Sequence, residues 1–308
     1  MKKLLSVFAA TLLFLCNGIM LYASAFDTVD NSVEIVTYNY VTGAETIMTM
    51  QEESSSISNV NSNGVMDGSD VSIAPAYFPE LTQVEDEASP NSIIGTDNRT
   101  LVNPNTYPYS AVMYLYLGQD TTGNGVANSW SSGTGFMVGS KALVTAAHCY
   151  WSSQYGWVEE CRTYKNQNSS TLGSTYYYPA SWQCSTNYTN NLDYQYDWCV
   201  VTMQDSIGDQ TGYFGYGKGG SMLNNAYTIS GYPGDHNGFQ YKASGTVSSE
   251  TTYICQYNID IMAGQSGAPI YDSDKIVWAI NTYESDTFNQ GNRITTTCYD
   301  LITAARNS

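Results

Sequence analysis

The sequence predicts an all-β protein with two small cores, and three observations carry that prediction. Short apolar runs such as Ala111-Val112-Met113-Tyr114-Leu115-Tyr116-Leu117 and Gly135-Phe136-Met137-Val138 recur from about residue 93 onward. Clusters of Gly, Asn, Ser and Asp separate them, as turns separate the strands of barrels or sandwiches. Residues 93–308 are long enough for two small barrels with one core each. Most of the 27 tyrosines fall in this region, more than a core of that size can hide completely.

Residues 1–25 open with Met1-Lys2-Lys3, continue through an apolar stretch at 4–21 and close on Ala23-Ser24-Ala25. A basic head, an apolar middle and a small-x-small end mark a signal peptide. Ser6, Thr11 and Asn17 interrupt the apolar stretch, which favours cleavage over a membrane anchor. No later stretch is apolar enough to span a bilayer as a helix, so the expected protein is secreted, extracellular and free of the membrane once the signal is removed.

Residues 26–92 carry 12 acids, no Lys or Arg and no Cys. With few large apolar residues, this segment alone does not offset the entropy of ordering it. It reads either as an acidic linker or as a propeptide that shields or assists the rest of the chain. Asn91-Ser92-Ile93-Ile94-Gly95 is the expected processing point, leaving one unit at 93–206 and a second at 207–308. A helix is expected at the C-terminus over Tyr299-Asp300-Leu301-Ile302-Thr303-Ala304-Ala305-Arg306.

The formal net charge is −17, and residues 93–308 contribute 9 basic and 16 acidic side chains to it. That balance argues against nucleic acid or an anionic lipid surface as partner. Besides Cys16 in the signal there are six cysteines, Cys149, Cys161, Cys184, Cys199, Cys255 and Cys298. An even set in an exported chain predicts disulfides, with fifteen possible pairings. No Cys-x-x-Cys and no Cys/His pair stands at ligand spacing, so neither a metal centre nor a cofactor is expected, although calcium held by loop carbonyls leaves no readable motif.

Gly264-Gln265-Ser266-Gly267-Ala268-Pro269 places a serine between glycines. A serine used as a nucleophile needs a base for its proton and backbone N–H donors for the oxyanion it creates. The chain has two histidines, His148 and His236. His148 ends the apolar run Ala142-Leu143-Val144-Thr145-Ala146-Ala147-His148, while His236 follows Gly234-Asp235 in a turn and reads as a solvated loop residue. Asp197, directly before the apolar run Trp198-Cys199-Val200-Val201, is placed to be desolvated and to orient an imidazole.

Thr145-Ala146-Ala147-His148-Cys149, the Asp197 segment and the Ser266 loop resemble, in that order, the chymotrypsin-like serine proteases. Gly95-Thr96-Asp97-Asn98-Arg99-Thr100, Ile207-Gly208-Asp209-Gln210-Thr211-Gly212-Tyr213-Phe214-Gly215 and Gly231-Tyr232-Pro233-Gly234-Asp235 are similar to landmarks of the secreted bacterial glutamyl-endopeptidase branch. The resemblance runs from about residue 93 to about 300. It implies two six-stranded antiparallel β-barrels with the active site in the cleft between them, a short C-terminal helix, a monomer, and protein or peptide substrates.

The resemblance also implies roles. His148, Asp197 and Ser266 form the triad, and the N–H groups of Gly264 and Ser266 form the oxyanion hole. Asn281 stands where the glutamyl branch has a substrate-binding histidine, so Asn281 and Thr282 are expected in the specificity pocket. Asp260, six residues before Ser266, is the position at which an acid selects Arg or Lys in trypsin-like relatives, so preference for Glu/Asp and for Arg/Lys both stay open. Gln265 replaces the aspartate that pairs with the new N-terminus in animal digestive enzymes, which points to activation by removal of the propeptide. Cys149 matches the place of a family disulfide, with Cys161 as the nearest partner. A protease-like binding protein without turnover and a carbohydrate-binding surface module are the alternatives of other classes.

Overall fold

The computed structural model describes residues 31–52, 72–77, 97–284 and 288–308; the signal at 1–25 and the processing point at 91–95 lie outside the described residues. The first strands are β1 (Ser32–Asn39), β2 (Glu45–Gln51), β3 (Ser72–Ala74) and β4 (Thr100–Leu101). Then come β5 (Val112–Gln119), β6 (Ser129–Met137), β7 (Ala142–Thr145), the single turn α1 (Ala147–Tyr150), β8 (Trp151–Ser152) and β9 (Gly156–Trp157). β10 (Glu160–Tyr164), β11 (Pro179–Ser185), α2 (Thr186–Asn191), β12 (Cys199–Met203) and α3 (Gly208–Thr211) follow. The last part holds β13 (Gly215–Lys218), β14 (Ala226–Gly231), β15 (Tyr241–Glu250) and β16 (Ile254–Tyr257). It ends with β17 (Pro269–Tyr271), β18 (Ile276–Tyr283), β19 (Asn289–Arg293) and α4 (Thr296–Arg306).

The first sheet runs β10-β5-β6-β7-β12-β11-β1-β2, and an isolated Thr163–Tyr177 bridge ties β10 back to the approach of β11. In the second, β14, β15, β16, β19, β18 and β17 close into a six-stranded ring through the β17–β18 pairing. The second is the closed six-stranded antiparallel barrel expected; the first is an antiparallel sheet of eight strands rather than six, because β1 and β2 extend it, and the parallel strand β13 joins β18 outside the ring. The chain passes from the first sheet to the second between Met203 and Gly215.

Residue patterning explains the strands. In β5, Met113, Leu115 and Leu117 are at most 2% exposed while Tyr114 and Tyr116 between them are half-buried, the period of two that a strand imposes. The first barrel packs these against Leu143, Trp182 and Val201. The second packs Ile229, Val247, Tyr257, Ile259 and Ile270. A third cluster, unexpected from sequence, joins Phe136, Val144 and Val200 of the first sheet to Phe214 and Val277 near the second and to Leu301 and Ile302 of α4. The helix buries Cys298, Leu301, Ile302 and Ala305, one face at i, i+3, i+4 and i+7.

Two expectations change. The acidic segment 26–92 contributes three strands: β1 pairs with β11, β2 with β1, and β3 with β13. It needs no core of its own, because it adds to existing sheet edges and sends Val33, Ile35 and Val36 into cores built by the rest of the chain. Each such side chain contributes about 1.5–3 kcal/mol on full burial.

The disulfides expected from cysteine count are not formed. All six described cysteines are free and buried. Cys149 Sγ points toward the Ser266 carbonyl at 3.7 Å, Cys161 Sγ meets the Tyr150 hydroxyl at 3.1 Å, and Cys255 Sγ faces the Gly291 carbonyl at 3.6 Å. Cys184 and Cys199 are register partners on β11 and β12 and remain thiols. Each thiol has a small buried niche, the ordinary fate of cysteine as a small hydrophobe.

Candidate active site

His148 and Asp197 arrive from neighbouring strands. β7 and β12 pair with Thr145 opposite Cys199, so the turn after one and the turn before the other share an end of the sheet. Asp197 follows a 3-10 turn at Tyr194–Tyr196, whose start is held by Asp193 Oδ1 accepting the Gln195 N–H at 3.1 Å. Its carboxylate grips His148 twice: Oδ1 accepts the backbone N–H at 2.9 Å and Oδ2 lies 2.7 Å from Nδ1. An ionised carboxylate only accepts, so the ring proton sits on Nδ1 and Nε2 keeps its lone pair. Burial works to lower the His148 pKa, but the Asp197 charge and hydrogen bond outweigh it and hold the imidazole above its ordinary value.

The Ser266 loop is shaped by two left-handed glycines, Gly264 at φ +98° and Gly267 at φ +85°. A Cβ on Gly264 would lie 2.6 Å from the Tyr232 carbonyl, and one on Gly267 would collide with Thr145 Oγ1 and the Thr134 carbonyl. Within this loop the N–H groups of Gln265, Gly267 and Ala268 donate to Met262, Asn281 and Gln265 carbonyls. Those of Gly264 and Ser266 have no partner among the described residues. The Ser266 carbonyl accepts the Thr134 N–H at 2.8 Å and faces Cys149 Sγ at 3.7 Å, so the serine loop abuts both β6 and the residue after His148. His148 Nε2 and Ser266 Oγ are not hydrogen-bonded to each other.

Sequence reasoning missed Thr134. Its hydroxyl donates to the Gly264 carbonyl at 2.8 Å and accepts the Tyr232 N–H at 3.0 Å, and its side chain is fully buried. The one available signal was Gly133-Thr134-Gly135, a polar residue between glycines on an inner strand.

Asn281 is 2% exposed. Its Oδ1 accepts the Tyr257 hydroxyl at 2.5 Å and its Nδ2 donates to the Gln265 carbonyl at 2.8 Å. Because a trans peptide sets C=O and N–H on opposite sides, fixing the Gln265 carbonyl also aims the Ser266 N–H away from Asn281. Thr282 donates to Asn292 Oδ1 at 2.7 Å. Asp260 is 1% exposed and its Oδ2 accepts the Asn98 N–H at 3.1 Å. His236 is not simply solvated: it stacks on Tyr241 with ring centroids 3.9 Å apart and a side chain 33% exposed.

The landmark segments at 95–100 and 231–235 meet beside this loop. Arg99, 2% exposed, donates to both oxygens of Asp97 and both of Asp235, and the Gly234 N–H bonds the Ala263 carbonyl at 2.7 Å. Burial raises the Asp97 pKa, yet hydrogen bonds from Arg99 leave it below the usual carboxylate value; the Arg99 hydrogen bonds do the same for Asp235.

The chain can now be set beside known proteins. A family model described as a trypsin-like peptidase domain matches residues 133–280, which contain His148, Asp197 and Ser266. The chain is 33% identical over 238 residues to a glutamyl endopeptidase of Bacillus licheniformis, covering 70% of each. It is 29% identical over 231 residues to an extracellular metalloprotease of Bacillus subtilis, covering 72% of each. Among the described residues no cluster of His, Cys, Asp and Glu is arranged to hold a metal ion, so the residues present do not fit the metal in that second name. The solved structure of a Glu endopeptidase in complex with MPD superposes with a TM-score of 0.61 at 26% identity, over 70% of this chain and 100% of that one. Taken with the two barrels and the arrangement around Ser266, these likenesses identify the chain as a serine endopeptidase of the chymotrypsin-like family, in its glutamyl-endopeptidase branch.

Proposed function

We propose that the protein is a secreted endopeptidase that cuts after Glu or Asp through His148, Asp197 and Ser266, matured by cleavage near Ile93. The observation that carries the chemistry is the two-oxygen grip of Asp197 on His148 beside a loop whose unbonded N–H groups are those of Gly264 and Ser266. In this reading Ser266 Oγ attacks the peptide carbonyl carbon while His148 Nε2 takes its proton. The oxyanion forms against the Gly264 and Ser266 N–H groups. Collapse breaks the C–N bond, the imidazolium returns the proton to the departing amine, and water then releases the acyl group by the same steps.

The specificity reading draws on the glutamyl endopeptidases the chain resembles. Asp260 supports it against Arg/Lys preference, because its carboxylate is sealed from solvent and engaged with the Asn98 N–H. Export rests on residues 1–25, and no helix among the described residues is long and apolar enough to cross a membrane. Residues 26–92 are read as propeptide, with units at 93–206 and 207–308.

A peptide panel differing only at the residue before the scissile bond tests specificity. The expected result is cleavage after Glu and Asp with little after Gln, Lys or Arg; faster cleavage after Arg or Lys overturns it. Covalent labelling by a serine-directed organophosphate, abolished in Ser266→Ala, tests the nucleophile.

A further inference from the structure

The segment ahead of the expected cut is built into the fold at three places. β1 lies along β11 over five residue pairs, from Ile35–Ser185 to Asn39–Ser181. β11 meets β10 at the Thr163–Tyr177 bridge, and past that point its edge is taken by β1, which fills a seam in the first barrel. Val33, Ile35 and Val36 are 2%, 0% and 4% exposed.

The second place is the start of α4. Glu52, only 6% exposed, accepts the Thr297 N–H on Oε1 and the Thr295 hydroxyl on Oε2, each at 3.3 Å. The helix's own N-cap residue, Thr295, makes no side-chain capping bond, so Glu52 supplies the negative charge that the N-terminal dipole favours. It also explains why α4 begins at Thr296, three residues before the helix expected from sequence.

The third is the other end of the same helix. Arg306 Nη2 donates to the Pro75 carbonyl at 2.7 Å, and its guanidinium lies over the Tyr213 and Tyr216 rings at 4.8 and 5.7 Å. Tyr77 and Tyr213 exchange backbone hydrogen bonds at 2.9 and 2.7 Å. Among the described residues, no hydrogen bond of 31–52 or 72–77 reaches His148, Asp197 or Ser266.

We propose that residues 31–52 and 72–77 form a structural strap, clamping the first barrel and both ends of α4, that stays docked as part of a separate chain after cleavage near Ile93. The working enzyme then carries two chains, because cutting the link does not remove the strap. This rests on the reading of 26–92 as propeptide. Among the described residues the strap makes no hydrogen bond to His148, Asp197 or Ser266, unlike a segment that inhibits by filling the substrate groove. Its loss would expose an edge strand, open an apolar seam and uncap a helix together.

The test uses the chain from residue 26 with a site-specific protease sequence inserted after Ser92. After complete cutting, native size-exclusion chromatography with intact-mass analysis is expected to find the strap peptide with the large fragment at one to one. Separation should require denaturant. Ile35→Asp is expected to release the strap on cutting and to lower Tm by about 5–10 °C, and Glu52→Ala to lower Tm by a few degrees. Synthetic peptide 31–77 added to the stripped Ile35→Asp protein should restore its Tm. A strap that leaves the cut wild-type protein under native conditions, with Tm unchanged, overturns the inference. Organophosphate labelling of the same samples reads the proposed catalytic serine independently: label without strap sinks only this inference, and strap without label sinks only the catalytic reading.

Discussion

Thr134, on the face of β6 turned away from the first barrel's own core, donates its backbone N–H to the carbonyl of Ser266, 2.8 Å away in a loop of the second. Its hydroxyl reaches Gly264, two residues earlier in that loop, and also accepts from Tyr232. One buried threonine thus fixes the Ser266 loop of one barrel against a strand of the other. Thr134→Val keeps the shape and the N–H but orphans the Gly264 carbonyl and the Tyr232 N–H, costing about 1–3 kcal/mol. We expect kcat to fall about tenfold with KM nearly unchanged, alongside a Tm lower by several degrees. A Tm loss with kcat intact would mean that the bond only stabilises the fold.

In the proposed mechanism Asp197 sets the pH profile. Protonated His148 cannot accept a proton, so kcat/KM should fall on the acid side with a midpoint above about 6.5, the ordinary imidazole value. Asp197→Asn should move that midpoint down and lower kcat by roughly 10⁴. Stability runs the other way. With the folded pKa raised, the pair's contribution is full below the unfolded value and fades as pH climbs through the folded one. Asp197→Asn should therefore cost more Tm at pH 5 than at pH 9, as a pH series of melts would read.

Asn281 ties the loop from behind. Asn281→Ala frees the Gln265 carbonyl, loosens the peptide plane that carries the Ser266 N–H, and should lower kcat by about 10–100-fold. KM and the ranking of Glu over Gln before the scissile bond should hold. Collapse of that ranking with kcat preserved would instead place Asn281 in substrate recognition.

The Arg99 cluster governs acid tolerance. Asp97 and Asp235 titrate below their ordinary value, so their contribution is present above about pH 3.9 and lost as pH falls through the lower folded values. The wild-type melt should hold to about pH 4 and drop below it. Arg99→Met leaves two carboxylates without their cation and should cost about 3–5 kcal/mol near neutral pH, with a smaller further loss on acidification than in the wild type.

Thiol chemistry checks the cysteines. Burial pushes Cys149, Cys161 and Cys255 up to about 12, so the native protein should react negligibly with a disulfide reagent over minutes. The six cysteines outside the signal should all titrate after unfolding without reductant. Thiols missing in pairs would restore the disulfide expectation.

Much of the candidate site was legible because the chemistry proposed for it demands rare residues. Two histidines in 308 residues left few bases to choose from, and a serine between glycines stood out against that background. The strands were legible by alternation, as in Met113, Leu115 and Leu117. Thr134 and Tyr257 were not, since a buried threonine or tyrosine in a strand reads as ordinary packing until its hydrogen-bond partner is known. Cysteine count misled for a related reason: an even number permits pairing, but where each sulfur is buried is set by packing that the count does not record.

By itself the sequence determined the β class, the order His148, Asp197, Ser266 and the glycines that let the serine loop turn, because strand period, side-chain type and left-handed backbone are local properties. Only the tertiary structure decided that Glu52 caps a helix more than 240 residues later in the chain, that Asn281 serves the loop behind Ser266, and that the described cysteines are buried as free thiols. Those are outcomes of long-range packing. Which buried donor meets which acceptor is settled when strands dock in register, and composition carries no record of that.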